Sequence, residues 1–231
     1  ICLMDERNGP ALAIQRANFH WMRVQESRMS GFPSQALTHC EEAAGVFATH
    51  QHMINSNRFH TIIAGCANDL VEAQNTPVQS PAMSFPGALK ESRETLRAAG
   101  NVHDLLADAQ EAIAIAYDHA QYNDDLVGLA LADMEEARYD RLKRSFERRE
   151  TNIGKEIAVA SGVLTLGRQM RDVAVQGQAR TMIGDALWAD GNTEAARNQY
   201  YAANALLRNA QLGGLALRPQ RALQMLDTFT N

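Results

Sequence analysis

None of the six prolines in this chain falls between Gly87 and Arg218. A proline inside a helix costs about 3 kcal/mol, so this long tract is free to run helix after helix. Apolar residues recur along it at a spacing near 3.6, broken by short turn clusters. Of the remaining prolines, Pro10 and Pro33 stand where helices can begin, and Pro77, Pro81 and Pro86 crowd into one segment. Alanine, the best helix former, makes up roughly 16% of the chain, well above ordinary usage. Aromatics are only 6%, and no stretch alternates β-branched residues between turn signals. The class is all-α, and with 45% hydrophobic residues in 231 there is ample material for a core.

The turn clusters divide the chain into ten helices. They cover about Pro10–Ser30, Ser34–Thr49, Met53–Ala73, Gly87–Gly100, Val102–Gln121, Leu126–Arg149, Asn152–Arg171, Val173–Ala189, Thr193–Ala210 and Leu215–Phe229. Ser34 is a plausible N-cap for the second, and Thr151 or Asn152 for the seventh. Residues 75–86, from Asn75 to Pro86, carry three prolines and two serines and are predicted to be a proline-rich loop insertion.

The clearest internal unit lies near the end of the sequence. Ile183-Gly184 sits on one helix, Gly191 follows it, and Ala196, Tyr200 and Ala203 fall on the next. Small residues let two helix backbones approach, Gly191 suits the left-handed conformation that ends a helix, and the other three share a face. Ala36, Cys40 and Ala43 hold the same offsets after Gly31, as do Leu105, Ala109 and Ala112 after Gly100. Ala64-Gly65 matches Ile183-Gly184, and Lys155–Asp172 reads as the second helix of a pair.

These spacings resemble the tetratricopeptide repeat (TPR), without its early tryptophan and closing proline. Units spaced by 40 residues or more are similar to those in sensory domains of bacterial transcription activators, such as maltose-regulator-like proteins and peptide-pheromone receptors. The resemblance implies a single α-solenoid over residues 1–231, a right-handed superhelix of antiparallel helix pairs. Strict alternation of first and second helices fails between Asn75 and Asn101.

In that family the first helix of each pair lines a concave face where ligands sit. Carried over by position, this implies Asn18, Trp21, Gln25 and Arg28 in the first unit. In the third helix it implies Phe59 and Asp69, with Ile62 and Cys66 between them; in the last full unit it implies Gln178, Asp185 and Trp188, with Thr181. Trp and Arg are enriched at binding hot spots. The competing reading makes Trp21 and Trp188 packing residues between helices.

Other chemistries find little support. His50, His52 and His60 gather near a helix junction, with His39 and Cys40 upstream, but without facing i,i+4 pairs; a polar turn accounts for them, and no metal or cofactor is expected. No zinc-protease, phosphate-loop, CxxC or nucleophile-elbow motif is present, so the chain is not expected to be an enzyme. Arg138, Arg141, Lys143, Arg144, Arg148 and Arg149 are interleaved with acids and read as a solvated, self-paired helix face. A net charge of -5 argues against direct nucleic-acid binding. Three sparse cysteines, no apolar run of about 20 residues and no signal-peptide pattern point to a cytoplasmic protein with no membrane span. The start at Ile1 suggests a segment of a longer protein.

The expected function is therefore a non-catalytic module that binds a peptide or protein segment. It would be the sensory or scaffold part of a larger cytoplasmic regulator, in transcription regulation or signalling. The alternatives are a self-association domain forming a homo-oligomer and a small-molecule effector sensor.

Overall fold

Five successive helices stop in the same way, and that shared stop organises the fold. The computed structural model describes residues 15, 19–20, 22–24, 26–28, 30, 32–50, 56–75, 98, 100–149 and 151–229. In it Asp124, Arg148, Arg171, Gly191 and Gln211 have positive φ, between 51° and 81°. The amide after each donates back over the turn: Asp125 to Ala120, Arg149 to Arg144, Asp172 to Gly167, Asn192 to Leu187 and Leu212 to Leu207. This bond around a left-handed residue is the Schellman stop. Asp125, Asn152, Asp172 and Asn192 then cap the next helix, their side chains accepting from the amides of Gly128, Lys155, Val175 and Ala195. Turns this short leave consecutive helices no choice but to pack antiparallel.

The helices are α1 (Pro33–His50), α2 (Ser56–Asn75), α3 (Val102–Tyr122), α4 (Leu126–Phe146), α5 (Ile153–Gln169), α6 (Val173–Ala189), α7 (Thr193–Asn209) and α8 (Gly213–Phe229). Described residues between 15 and 30 are helical too and form a leading segment. There is no strand among the described residues. The all-α class holds, and the fold is helical and repeat-like.

Some boundaries differ from expectation. Pro33 itself opens α1, so Ser34 lies in the first turn and is not the cap. Asn152, rather than Thr151, caps α5. Gly213 and Gly214 belong to α8, which also accommodates Pro219. Asn75 closes α2 instead of opening the proline loop. Positions 76–86, and all but Ala98 and Gly100 of the helix expected over Gly87–Gly100, lie outside the described residues.

Each helix packs on the one before it, and α2 packs extensively on α3 across the intervening segment. The even-numbered helices also touch in sequence, α2 on α4, α4 on α6 and α6 on α8. Alternate helices therefore share one inner layer. The repeat residues fill the joints: Ala196, Tyr200, Ala203, Ala36, Cys40, Ala43, Leu105, Ala109 and Ala112 are all buried. Glu156, Ala160 and Val163 of α5 hold the same offsets and are buried as well, with a glutamate where the other units have alanine or leucine. Gly184 meets the Tyr200 ring so closely that a β-carbon there would stand 2.6 Å from Cε1.

Candidate functional site

The inner layer carries a buried net of charge. Asp69 and Glu72 come from α2, Glu135, Arg138 and Arg141 from α4, Asp185 from α6 and Arg218 from α8, while Glu156 enters from α5 and Arg28 from the leading segment. Arg28 donates from Nε to Asp69 at 3.0 Å and from Nη2 to Glu135 at 3.0 Å. Arg138 reaches Asp69 and Glu72, each at 2.6 Å. Arg141 bridges Glu72, at 2.9 Å, and Glu156. Arg218 meets Asp69 at 3.3 Å and Asp185 at 2.8 Å. Tyr200 donates to the other Asp185 oxygen, and Asn68 donates to both the backbone and the side chain of Glu135.

Each partner is held by a local sequence device. Gly65 leaves the space into which Arg28 extends: a β-carbon there would lie 2.2 Å from Nη2. Asp69 and Glu72 are three apart, as are Arg138 and Arg141, so each pair shares one helix face and the two faces meet. Buried ions stand only when paired and hydrogen-bonded, and the net divides on that point. Burial opposes charge on Asp69, but Arg28, Arg218 and Arg138 outweigh it and hold the carboxyl well below the usual range. Arg141 and Arg138 do the same for Glu72. At Glu156 burial wins over Arg141 and pushes the carboxyl up, and its Oε1 has no hydrogen-bond partner among the described residues. Asp185 is pushed up by burial too, despite Arg218, Arg138 and Tyr200.

Beside the net lies a half-open cleft of about 500 Å³, mouth included. Met134, Met182, Leu207 and Leu215 give it apolar walls; Arg28, Glu135, Arg138, Gln178, Thr181, Asp185 and Arg218 supply the polar lining. Among the described residues nothing hydrogen-bonds the Gln178 side chain, whereas the arginines are already engaged by carboxylates. The cleft thus offers an amide, fixed charges of both signs and an apolar floor, a set that suits a polar chain with one or two apolar side chains.

Of the residues expected on the ligand face, Arg28, Gln178, Thr181 and Asp185 line this cleft, although they are as much as 157 positions apart in the chain. Asp69 lies behind Arg28 and is fully paired. Phe59 is only 1% exposed and Trp188 only 3% exposed, so both are core residues. Trp188 meets the Tyr200 ring edge-on at 6.2 Å, the packing role that was its alternative reading. Asn18, Trp21 and Gln25 lie outside the described residues.

The basic run of α4 is corrected more sharply. Arg144, Arg148 and Arg149 are exposed as expected, but Arg138 and Arg141 are buried and make their short ion pairs to α2 and α5, with a longer 3.9 Å contact from Arg138 to Glu135 along α4. The signal was present in the stripe: both arginines continue the buried face of Val127, Ala130, Met134 and Ala137. Of the histidines expected together, His60 packs edge-on against His119 at 5.6 Å, His50 closes α1, and His52 lies outside the described residues. No protein-family model matches the chain and no curated protein matches it, so the geometry of the cleft, rather than kinship, carries the functional reading.

Proposed function

We propose that this chain is a non-catalytic TPR-like module that holds a peptide or protein segment in the cleft between Arg28, Gln178 and Leu215. In this reading the inner even-numbered helices wind as a right-handed superhelix, and the module is the sensory or scaffold part of a cytoplasmic regulator. The observation that carries it is convergence: Arg28 from the leading segment, Gln178 and Asp185 from α6 and Arg218 from α8 meet around one apolar floor. The Gln178 amide is suited to pair with a peptide backbone, and Met182, Leu207 and Leu215 to receive an apolar side chain.

Selection from a random peptide library, followed by fluorescence anisotropy on the enriched sequences, tests this. Gln178→Ala and Leu215→Ala should each weaken binding by roughly 1 kcal/mol or more, the threshold that marks an energetically important contact. Peptides that bind both variants as well as the parent chain would place the site elsewhere. The mixed lining of the cleft, apolar walls beside a free amide and fixed charges, also suits a small effector. A thermal-shift screen with sugars and short peptides separates the two, since only one class should stabilise the chain in a Gln178-dependent way.

A further inference from the structure

The leading segment and α1 bring together two imidazoles and a carboxylate that the peptide-binding reading does not use. His39 and Glu42 are three apart on α1 and face the same way. His20 comes from the leading segment, its ring centre 5.7 Å from that of His39. One ligand atom from each of His20, His39 and Glu42 lies within 4.8 Å of the others. Glu42 Oε2 is 2.8 Å from His20 Nδ1 and 3.4 Å from His39 Nδ1. The first contact is close but misaligned for a hydrogen bond, which leaves the buried Nδ1 of His20 without a hydrogen-bond partner among the described residues.

We propose that His20, His39 and Glu42 form a binding site for a divalent transition metal of the zinc class. Zinc–nitrogen bonds of about 2.0–2.1 Å set tetrahedral donors roughly 3.4 Å apart, so small side-chain movements would suffice to close on an ion. Two imidazoles with one carboxylate suit zinc, cobalt or nickel, whereas magnesium and calcium take oxygen donors. Three protein ligands leave a position for water or for a ligand from outside. The site differs from the grouping of His50, His52 and His60 that sequence spacing brings to mind, because its donors come from two helices. A metal here would fasten the leading segment to α1, and with it Arg28, which stands at the cleft.

The test uses the purified chain stripped with a chelator. Zinc is titrated against a chromophoric competitor, and cobalt is followed by its visible absorption. The expected result is one equivalent bound, no comparable response to magnesium, and a loss of affinity of about tenfold or more in both Glu42→Gln and His39→Ala. The Glu42 side chain is about half exposed, so that substitution leaves the fold intact, which circular dichroism checks. His103→Ala, on the exposed face of α3, should bind as the parent does. Absence of stoichiometric binding, or binding unchanged in Glu42→Gln and His39→Ala, overturns the proposal.

Discussion

The Tyr200 hydroxyl donates to Asp185 Oδ1 at 2.7 Å from within the space that Gly184 leaves open. A single aromatic side chain thus closes the α6–α7 joint and supplies a hydrogen bond to a carboxylate of the inner charge net. Tyr200→Phe keeps the ring and removes the donor. It should cost about 1–3 kcal/mol, the penalty for a buried polar group left unsatisfied. Gly184→Ala keeps the donor and crowds the ring, with a cost of about 1–3 kcal/mol from overpacking. Urea denaturation of the two variants measures both effects.

Arg138 and Arg144 belong to one helix and carry the same charge, yet they should behave oppositely. Arg138→Met strips two buried carboxylates of their shared guanidinium and should cost about 3–5 kcal/mol. Arg144→Met acts on an exposed side chain and should stay within about 0.5 kcal/mol. Equal effects in equilibrium unfolding would contradict the burial of the net.

The helix stops make a prediction about glycine. Arg171 and Gln211 hold a left-handed conformation at φ 56° and 61°, which costs a side-chain-bearing residue about 1 kcal/mol relative to glycine. Arg171→Gly and Gln211→Gly should therefore raise thermal stability slightly, in contrast to the usual effect of glycine. Gly191→Ala, at φ 81°, should lower it by about 1 kcal/mol. Thermal melts of the three variants give the sign directly.

His60 supplies a pH dependence. Burial first, and His119 second, lower its pKa from 6.5 to about 4. The folded state thus prefers the neutral ring, so the contribution to stability is fully present above pH 6.5 and is lost as the pH falls towards 4. Glu156 and Asp185, raised by burial, act with the opposite sign in this range, so the His60 contribution is read against His60→Gln: the urea midpoint of the parent chain should fall further between pH 7 and pH 4.5 than that of the variant. Asp69 and Glu72, held low by their arginines, add a loss with the same sign as the pH falls through and below the ordinary carboxylate range.

Much of the architecture was legible because it is local. Gly191, Ala196, Tyr200 and Ala203 lie within one turn and one helix, and their offsets alone identified a helix pair: Gly191 makes the turn, and the other three fill the joint. The site was only partly legible because it is not local. Arg28 finds Asp69 across 41 positions and Arg218 finds it across 149, and no periodicity records such a meeting. Trp188 was misplaced for a related reason: inner-layer position does not distinguish a side chain turned to the cleft from one turned to the next helix. Arg138 and Arg141 look like surface charges by residue type, and only their place on an apolar stripe showed otherwise.

Asp69 receives Arg28, Arg138 and Arg218, guanidiniums drawn from the two extremes and the middle of the described chain. In arrays whose units touch only their neighbours, one end can melt while the rest survives. Here fraying of α8 or of the leading segment would strip a counter-ion from a carboxylate deep in α2, so distant parts are penalised together. The expected behaviour is a single sharp transition, and proteolytic pieces that divide Asp69 from Arg218 should be poor folding units on either side of the cut.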